Sequence, residues 1–346
     1  MSNKPTFTLS RQHFKGSSFE IGLQLGQFGA TAVHQRLLRS SAWETVQRFH
    51  GTARSQKMMI LTQKHFPDIW AEIEGLAQGL ELPLEAVFLW NARGDVWAMA
   101  PDGCTTIMDP GSGQPRITHN EDGTPMFAGY CAIAQFEVDQ KHGFASFIYP
   151  GSIAGHTLAV NRSGLAMTVN NIRALTVQAG IPRMVATRAV LNTENVLEAV
   201  QLLRSLPLSG AFHLSLADSS TGQLASVEYS SHYVSVQTLR QTHIHANHAI
   251  HPDTRDWPQI ITGTSGRRQL RGQALLDQGQ TNPLTILADD DKSGYPIFRR
   301  SPDDTDDENT LATADISVQQ DGVRWQVYQD PRQPATFELA NDQFLD

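Results

Sequence analysis

The chain changes texture once, in "APDGCTTIMDP" from Ala100 to Pro110. Upstream of Gly103 it is rich in helix formers, with apolar residues at three- and four-residue steps. Downstream it breaks into short β-rich runs separated by Gly, Asn and Ser turns. That switch predicts a mostly helical leader followed by sheets with helices laid on them, an α+β layered architecture. It also sets Cys104, one of only two cysteines, at the head of the first downstream strand.

Within the leader, Ser17 and Glu20 spell a capping box ahead of "FEIGLQLGQFGATAVHQRLL". Gly22, Gly26 and Gly29 each cost about 1 kcal/mol against alanine in a helix, so they are read as points of close packing. "DIWAEIEGLAQGL" puts Ile69, Ile73, Leu76, Ala77 and Leu80 on one face. "PLEAVFLWNARGDVWAM" begins with Pro83, suited to a first helical turn. Strands are predicted in "CTTIM", "PRITHN", "CAIAQFEV", "GFASFIY", "HTLAVN" and "GLAMTVN". The helices "PRMVATRAVL" and "VLEAVQLLRSL" follow, then the strands "FHLSLAD", "QLASVEY", "YVSVQTL" and "THIHANH". A helix near "SGRRQLRGQALLDQ" and a hairpin turning at Gln320-Asp321-Gly322 complete the pattern. The acidic run Asp303 to Glu308 reads as a solvated loop, since a calcium loop would want a central Gly and a distal Glu.

A net charge of −8 argues against a general nucleic-acid binder, which needs a basic face. The apolar runs are too short to span a bilayer, so no membrane partner is expected. The start lacks the roughly 7–15-residue apolar stretch of a secretory signal, which makes the cytoplasm the expected compartment. Cys104 and Cys131 could pair, but no disulfide framework or zinc spacing is present.

Glycine before a cysteine leaves a carbonyl that no side chain shields. The thiol could attack it, shift the acyl group from nitrogen to sulfur, and cut the chain between Gly103 and Cys104. The new first residue would own a thiol of pKa about 8.5 and an α-amine of about 7.7–8.0. Nucleophile and base would then sit in one residue. The residues alone equally describe Cys104 as a small buried hydrophobe.

"DGCTT" resembles the processing site of the acyl-coenzyme A:6-aminopenicillanic acid acyltransferase family, also called isopenicillin N acyltransferases, among the N-terminal nucleophile hydrolases. "GSSFEIGLQLG", "FPDIWAEIEGLAQGLELPLEAVFLWNAR", "THNEDG", "LAVNRSGLAMTVNNI", "GIPRMVATRAVLNT", "VEYSS" and "HANHA" resemble family segments in the same order. The resemblance runs from about residue 14 to about residue 300. It implies a four-layer αββα sandwich and a precursor cut into an α chain, Met1 to Gly103, and a β chain, Cys104 to Asp346. The two fragments would partner each other as one structural unit.

The resemblance further implies Cys104 as nucleophile, Asn247 as oxyanion donor, and Asp122 and Arg299 as catalytic partners. Thr105, Asn120, Ser230, His245 and Arg300 are placed around substrate or behind these residues, with His119 and Thr106 beside them. Phe298 stands where the family has a cysteine, which leaves Arg299 and Arg300 as neighbours competing for one role, Arg299 ahead. Cys131 is read as structural. His243, His245, His248 and His251 would suit a metal-dependent hydrolase, but the family motif accounts for His245 and His248 without a metal. No metal and no cofactor is predicted. The expected activity is hydrolysis or acyl transfer on a small N-acyl or aminoacyl amide through a Cys104 thioester. A coenzyme A-dependent acyltransferase is the alternative, with acyl-coenzyme A as partner, although no phosphate-cradling glycine loop is seen. A non-catalytic binding module is the remaining reading, and the intact "GCTT" and "HANH" argue against it.

Overall fold

The computed structural model describes residues 8–100, 103–291, 294–300 and 308–345. Strand β1 (Ser10–Gly16) opens the chain, followed by helices α1 (Ser18–Gln35), α2 (Ser41–Gln47), α3 (Ala53–His65), α4 (Pro67–Leu80), α5 (Leu84–Asn91) and α6 (Arg93–Val96). Six strands come next: β2 (Gly103–Asp109), β3 (Arg116–Gly123), β4 (Ala132–Val138), β5 (Phe144–Ile148), β6 (Leu158–Asn161) and β7 (Leu165–Ala174). Helices α7 (Arg183–Val190) and α8 (Val196–Ser205) precede β8 (Ala211–Asp218), β9 (Leu224–Tyr229), β10 (Val234–Thr238), β11 (His243–His245) and β12 (Gln259–Ile260). The rest is α9 (Gly263–Asp277), α10 (Pro283–Leu287), β13 (Asn309–Gln319), β14 (Gly322–Tyr328), β15 (Phe337–Ala340) and β16 (Gln343–Phe344).

The strands form two sheets, giving a mixed α+β protein. A nine-stranded sheet runs β1-β4-β5-β6-β7-β8-β9-β10, with β12 on β7. A seven-stranded sheet runs β11-β2-β3-β13-β14-β15-β16. The sheets touch through β2 and β7, where the Thr106 hydroxyl donates to Asn170 Oδ1 at 2.7 Å. Helix α8 contacts β8, β9 and β10 of the larger sheet, while α9 contacts β11 and β2, and α10 contacts β3.

The predicted capping box forms: Glu20 N donates to the Ser17 hydroxyl at 3.3 Å and Ser17 N to the Glu20 carboxylate at 2.8 Å. Gly22 and Gly26 are points of backbone contact between α1 and α4, whereas Gly29 packs against Pro150 and Gly151. A Cβ on Gly22 would fall 1.9 Å from the Glu72 carbonyl oxygen, and one on Gly75 would fall 2.0 Å from that of Phe19. The predicted apolar face of α4 is buried throughout.

Some elements differ from the sequence reading. The Pro83 segment is two helices, because Ala92 leaves helical geometry at φ −115°. Strand β1, in the stretch read as mostly helical, lies parallel on β4 at a sheet edge. Only Phe14 in it is buried, so its pattern is weak. Strands β15 and β16 extend the sheet beyond the predicted final hairpin. Asp303 to Asp307 of the acidic run lie outside the described residues. Glu308, its last member, is not solvated: it is 1% exposed and paired with two arginines. Neither cysteine is in a disulfide, and both are buried. No helix among the described residues is long and apolar enough to cross a membrane.

Candidate active site

Buried strands in a two-sheet protein usually read as apolar runs. Strand β3 does not. Thr118, His119, Asn120, Glu121 and Asp122 are consecutive, and none is more than 2% exposed. Burying such groups is costly unless each is hydrogen-bonded, and the neighbouring elements supply the partners.

Strand β2 pairs with β3 so that Gly103 faces Asp122, Cys104 faces Glu121, Thr105 faces Asn120 and Thr106 faces His119. Alternation sends these residues to opposite faces of the sheet. Cys104, Thr106, His119 and Glu121 share the face toward β7. Cys104 Sγ lies 3.6 Å from Glu121 Oε2, and His119 Nε2 lies 3.2 Å from the same oxygen. His119 Nδ1 meets the Thr106 hydroxyl at 2.7 Å, and the Tyr149 hydroxyl donates to Glu121 Oε1 at 2.9 Å. Burial pushes the His119 imidazole from 6.5 down to about 3. Cys104, His119 and Glu121 each offer one ligand atom, all within 4.8 Å of one another. That spacing is within reach of a metal ion, yet hydrogen bonds already join these atoms, so we read them as a proton-sharing group.

The other face carries Thr105, Asn120 and Asp122. Arg268 of α9 is fully buried there and donates to the Cys104 carbonyl, to Thr105 Oγ1 at 2.7 Å and to Asn247 Oδ1 at 2.6 Å. Asn247 Oδ1 also accepts from the Cys104 backbone nitrogen at 2.9 Å. With both donors on its oxygen, Asn247 Nδ2 is buried with no hydrogen-bond partner among the described residues. That amide donor, held beside Cys104, is open to a hydrogen-bond acceptor.

Asp122 Oδ1 accepts from Thr310, and Arg299 lies 3.9 Å from Asp122 Oδ2 and 2.9 Å from Glu308. Burial raises the Glu308 carboxyl, against the charges of Arg173 and Arg299. A Cβ at position 103 would fall 2.2 Å from Glu308 Oε2. Because Arg299 and Arg173 pin that carboxylate, a larger residue at 103 has no room. Arg300 turns outward onto Asp330 at 3.2 Å, so Arg299 is the inward member of the pair.

Asn120 fastens β3 to its surroundings, donating to the Leu287 carbonyl at 2.9 Å and accepting from Thr313 at 2.7 Å. Ser230 sits in the β9–β10 turn, accepting from His232 N at 3.2 Å, and makes no hydrogen bond to the Cys104 group among the described residues. Cys131 Sγ donates to the Phe127 carbonyl at 3.5 Å.

The histidine-rich stretch forms a second buried network. His245 Nε2 meets Glu228 at 2.9 Å, and its ring stacks on His213 with centroids 3.6 Å apart. Burial acts to raise the Glu228 carboxyl, but the His245 hydrogen bond and charge prevail and lower it to about 2. His251 sits between the Ser226 and Ser235 hydroxyls at 2.7 and 3.0 Å, and His248 Nδ1 meets Ser265 at 2.8 Å. His213 and His251 share the Ser226 hydroxyl, while His245 and His248 face different partners, Glu228 and Ser265.

A narrow cleft of about 20 Å³ reaches this region, lined by Trp90, Arg93, Phe127, Tyr149 and Ser152. Tyr149 links it to Glu121. Sequence reasoning missed Glu121, Arg268, Glu308 and Tyr149. Strand alternation was a usable signal for Glu121, which shares a sheet face with His119 two positions before it. Arg268 sits on a helix whose arginines all look alike in one dimension.

The profile described as acyl-coenzyme A:6-aminopenicillanic acid acyl-transferase matches residues 109–332, well over half of the chain. The match starts just downstream of Cys104 and includes Asp122, Asn247 and Arg299. A β-alanyl-dopamine/carcinine hydrolase from Drosophila melanogaster is 26% identical over 223 residues. That similarity covers 57% of this chain and 57% of the relative, so little more than half of the relative's length is represented.

Proposed function

Because the chain belongs to the acyl-coenzyme A:6-aminopenicillanic acid acyltransferase family, we propose that it is a self-processing amide hydrolase or acyltransferase working through a thioester on Cys104. The Asn247 side chain carries this reading: its oxygen is held by the Cys104 nitrogen and Arg268, while its buried NH₂ group lacks an acceptor among the described residues.

Cleavage after Gly103 makes Met1–Gly103 the α chain and Cys104–Asp346 the β chain. The two sheets, with helices against each, are then the inner layers of a four-layer αββα sandwich. The Cys104 nitrogen becomes an α-amine still held by Asn247 Oδ1. It takes the thiol proton, and the thiolate attacks the substrate carbonyl. Asn247 Nδ2 receives the oxyanion, a contribution of about 10²–10³ in rate for one such donor. The amine then protonates the leaving group. Water completes hydrolysis, or a second amine completes transfer. Arg299, Asp122 and Glu308 brace the Gly103 side of the junction.

The relative is named as a hydrolase of β-alanyl-dopamine and carcinine, which supports a small aminoacyl or N-acyl amide as substrate. Trp90, Phe127 and Tyr149 would offer the cleft's apolar walls. Acid-quenched mass spectrometry with aminoacyl and N-acyl amides tests this. An acyl adduct on Cys104 that is absent from Cys104→Ala is expected. Turnover by Cys104→Ala would overturn it.

A further inference from the structure

Before the Gly103–Cys104 bond breaks, Cys104 has no α-amine. Its nitrogen is an amide that donates to Asn247. Self-processing, as read above, therefore needs another group to take the thiol proton, and the hydrogen bonds around Sγ have only one self-consistent direction.

Asn170 Nδ2 lies 3.1 Å from the His245 carbonyl, which can only accept. Asn170 Oδ1 is therefore the acceptor for Thr106 at 2.7 Å and for His213 Nδ1 at 3.3 Å. Thr106 gives its single proton to Asn170, so it accepts from His119 Nδ1. With its Nδ1 proton fixed, His119 turns Nε2 toward Glu121 Oε2 at 3.2 Å. Two lone pairs do not face each other at that distance, so a proton lies between them. Burial lowers the His119 imidazole, which favours the carboxyl side of that contact for the proton. The same oxygen is the one 3.6 Å from Sγ.

We propose that Glu121 is a further catalytic residue, a carboxylic acid that shares its proton with His119 and exchanges a proton with the Cys104 sulfur. In the processing step the thiol proton passes to Glu121 Oε2 as the Glu121 proton passes to His119 Nε2. The sulfur bonds the Gly103 carbonyl carbon, and the carbon–nitrogen bond of the junction breaks. The proton returns through Glu121 to the leaving nitrogen, so a thioester and an amine form with no net gain or loss. Water then cleaves the thioester. The buried imidazolium is unfavourable, so His119 hands the proton back. Cys104 and Tyr149 face this pair directly, and Cys131 and His213 lie close enough to feel its charge.

Glu121→Gln keeps the shape and can still donate to His119, but it has no transferable acid proton. Processing of the full chain is expected to slow by about 10²–10⁴-fold. In the processed fraction of each protein, where Cys104 carries its α-amine in both, alkylation by iodoacetamide is expected to slow with its pH midpoint raised, which a purely structural role would not produce. Wild-type processing and alkylation in Glu121→Gln would overturn the proposal. If that variant does not fold, Thr106→Val carries the test, because it leaves Glu121 in place and releases His119 Nδ1. Slower processing supports the proposal, and an unchanged rate overturns it. Cys104→Ala separates the two levels. If it stays whole while Glu121→Gln cleaves normally, only the role of Glu121 fails. If Cys104→Ala is itself cut at the junction, the self-processing reading fails and this inference with it.

Discussion

The α1–α4 helix pair and the β2–β3 strand pair are both buried, and they are built by opposite rules. In the helix pair an apolar face and glycines bring two backbones into contact, as periodicity predicts. In the strand pair the buried positions include Cys, Thr, His, Asn, Glu and Asp, held by hydrogen bonds to neighbouring elements, beside the apolar Ile107, Met108 and Ile117. The first region stabilises the fold through packing. The second places titratable groups where water cannot screen them. Substitutions should therefore separate the regions, with stability lost in one and chemistry lost in the other.

The sharpest exception within the helix pair is Glu72, a buried carboxylate on α4 that accepts from Arg188 Nε at 3.0 Å. Burial raises its pKa and the Arg188 charge opposes the rise. Glu72→Ala strands Arg188 and is expected to cost about 3–5 kcal/mol in urea unfolding. Activity per folded molecule should be retained. In the strand region, Asn247→Ala is expected to lower the acylation rate by about 10²–10³-fold. Stopped-flow acylation would show it, and a loss confined to substrate affinity would break the assignment.

Gly75→Ala drives a methyl into the Phe19 carbonyl and is expected to cost about 1–3 kcal/mol, with kcat unchanged. The buried histidines give a smaller, graded effect. His119 is lowered from 6.5 to about 3 and His251 to about 4, each first by burial. Below pH 6.5 the unfolded chain binds protons that these folded-state rings resist, so stability falls as pH drops from 6.5 toward 3. Urea midpoints across that window should decline, and His251→Gln should flatten the slope. The smallest expected effect is that of a chelator. Activity should be unchanged, and a loss restored by zinc would favour a metal role for the histidines.

The helical leader and the order of strands were legible because their signals are local. Ser17 and Glu20 lie three apart, and the α4 face repeats within one window. Strand β1 escaped because an edge strand with one buried residue has little pattern. The site was legible only in part. Cys104, Asn247, Asp122 and Arg299 stand in recognisable segments, and the structure sets Asn247 on the Cys104 amide and Arg299 beside Asp122. Nothing local marks Arg268, 164 positions from Cys104, or Glu308 at the end of an acidic run. Their roles arise from sheet pairing and helix docking, which bring distant charges to one peptide bond.

Intact-mass and N-terminal analysis of the purified protein under denaturing conditions tests self-processing most directly. Two polypeptides are expected, one ending at Gly103 and the other beginning at Cys104, with Cys104→Ala remaining whole. Fully active protein whose Gly103–Cys104 bond is unbroken would contradict it.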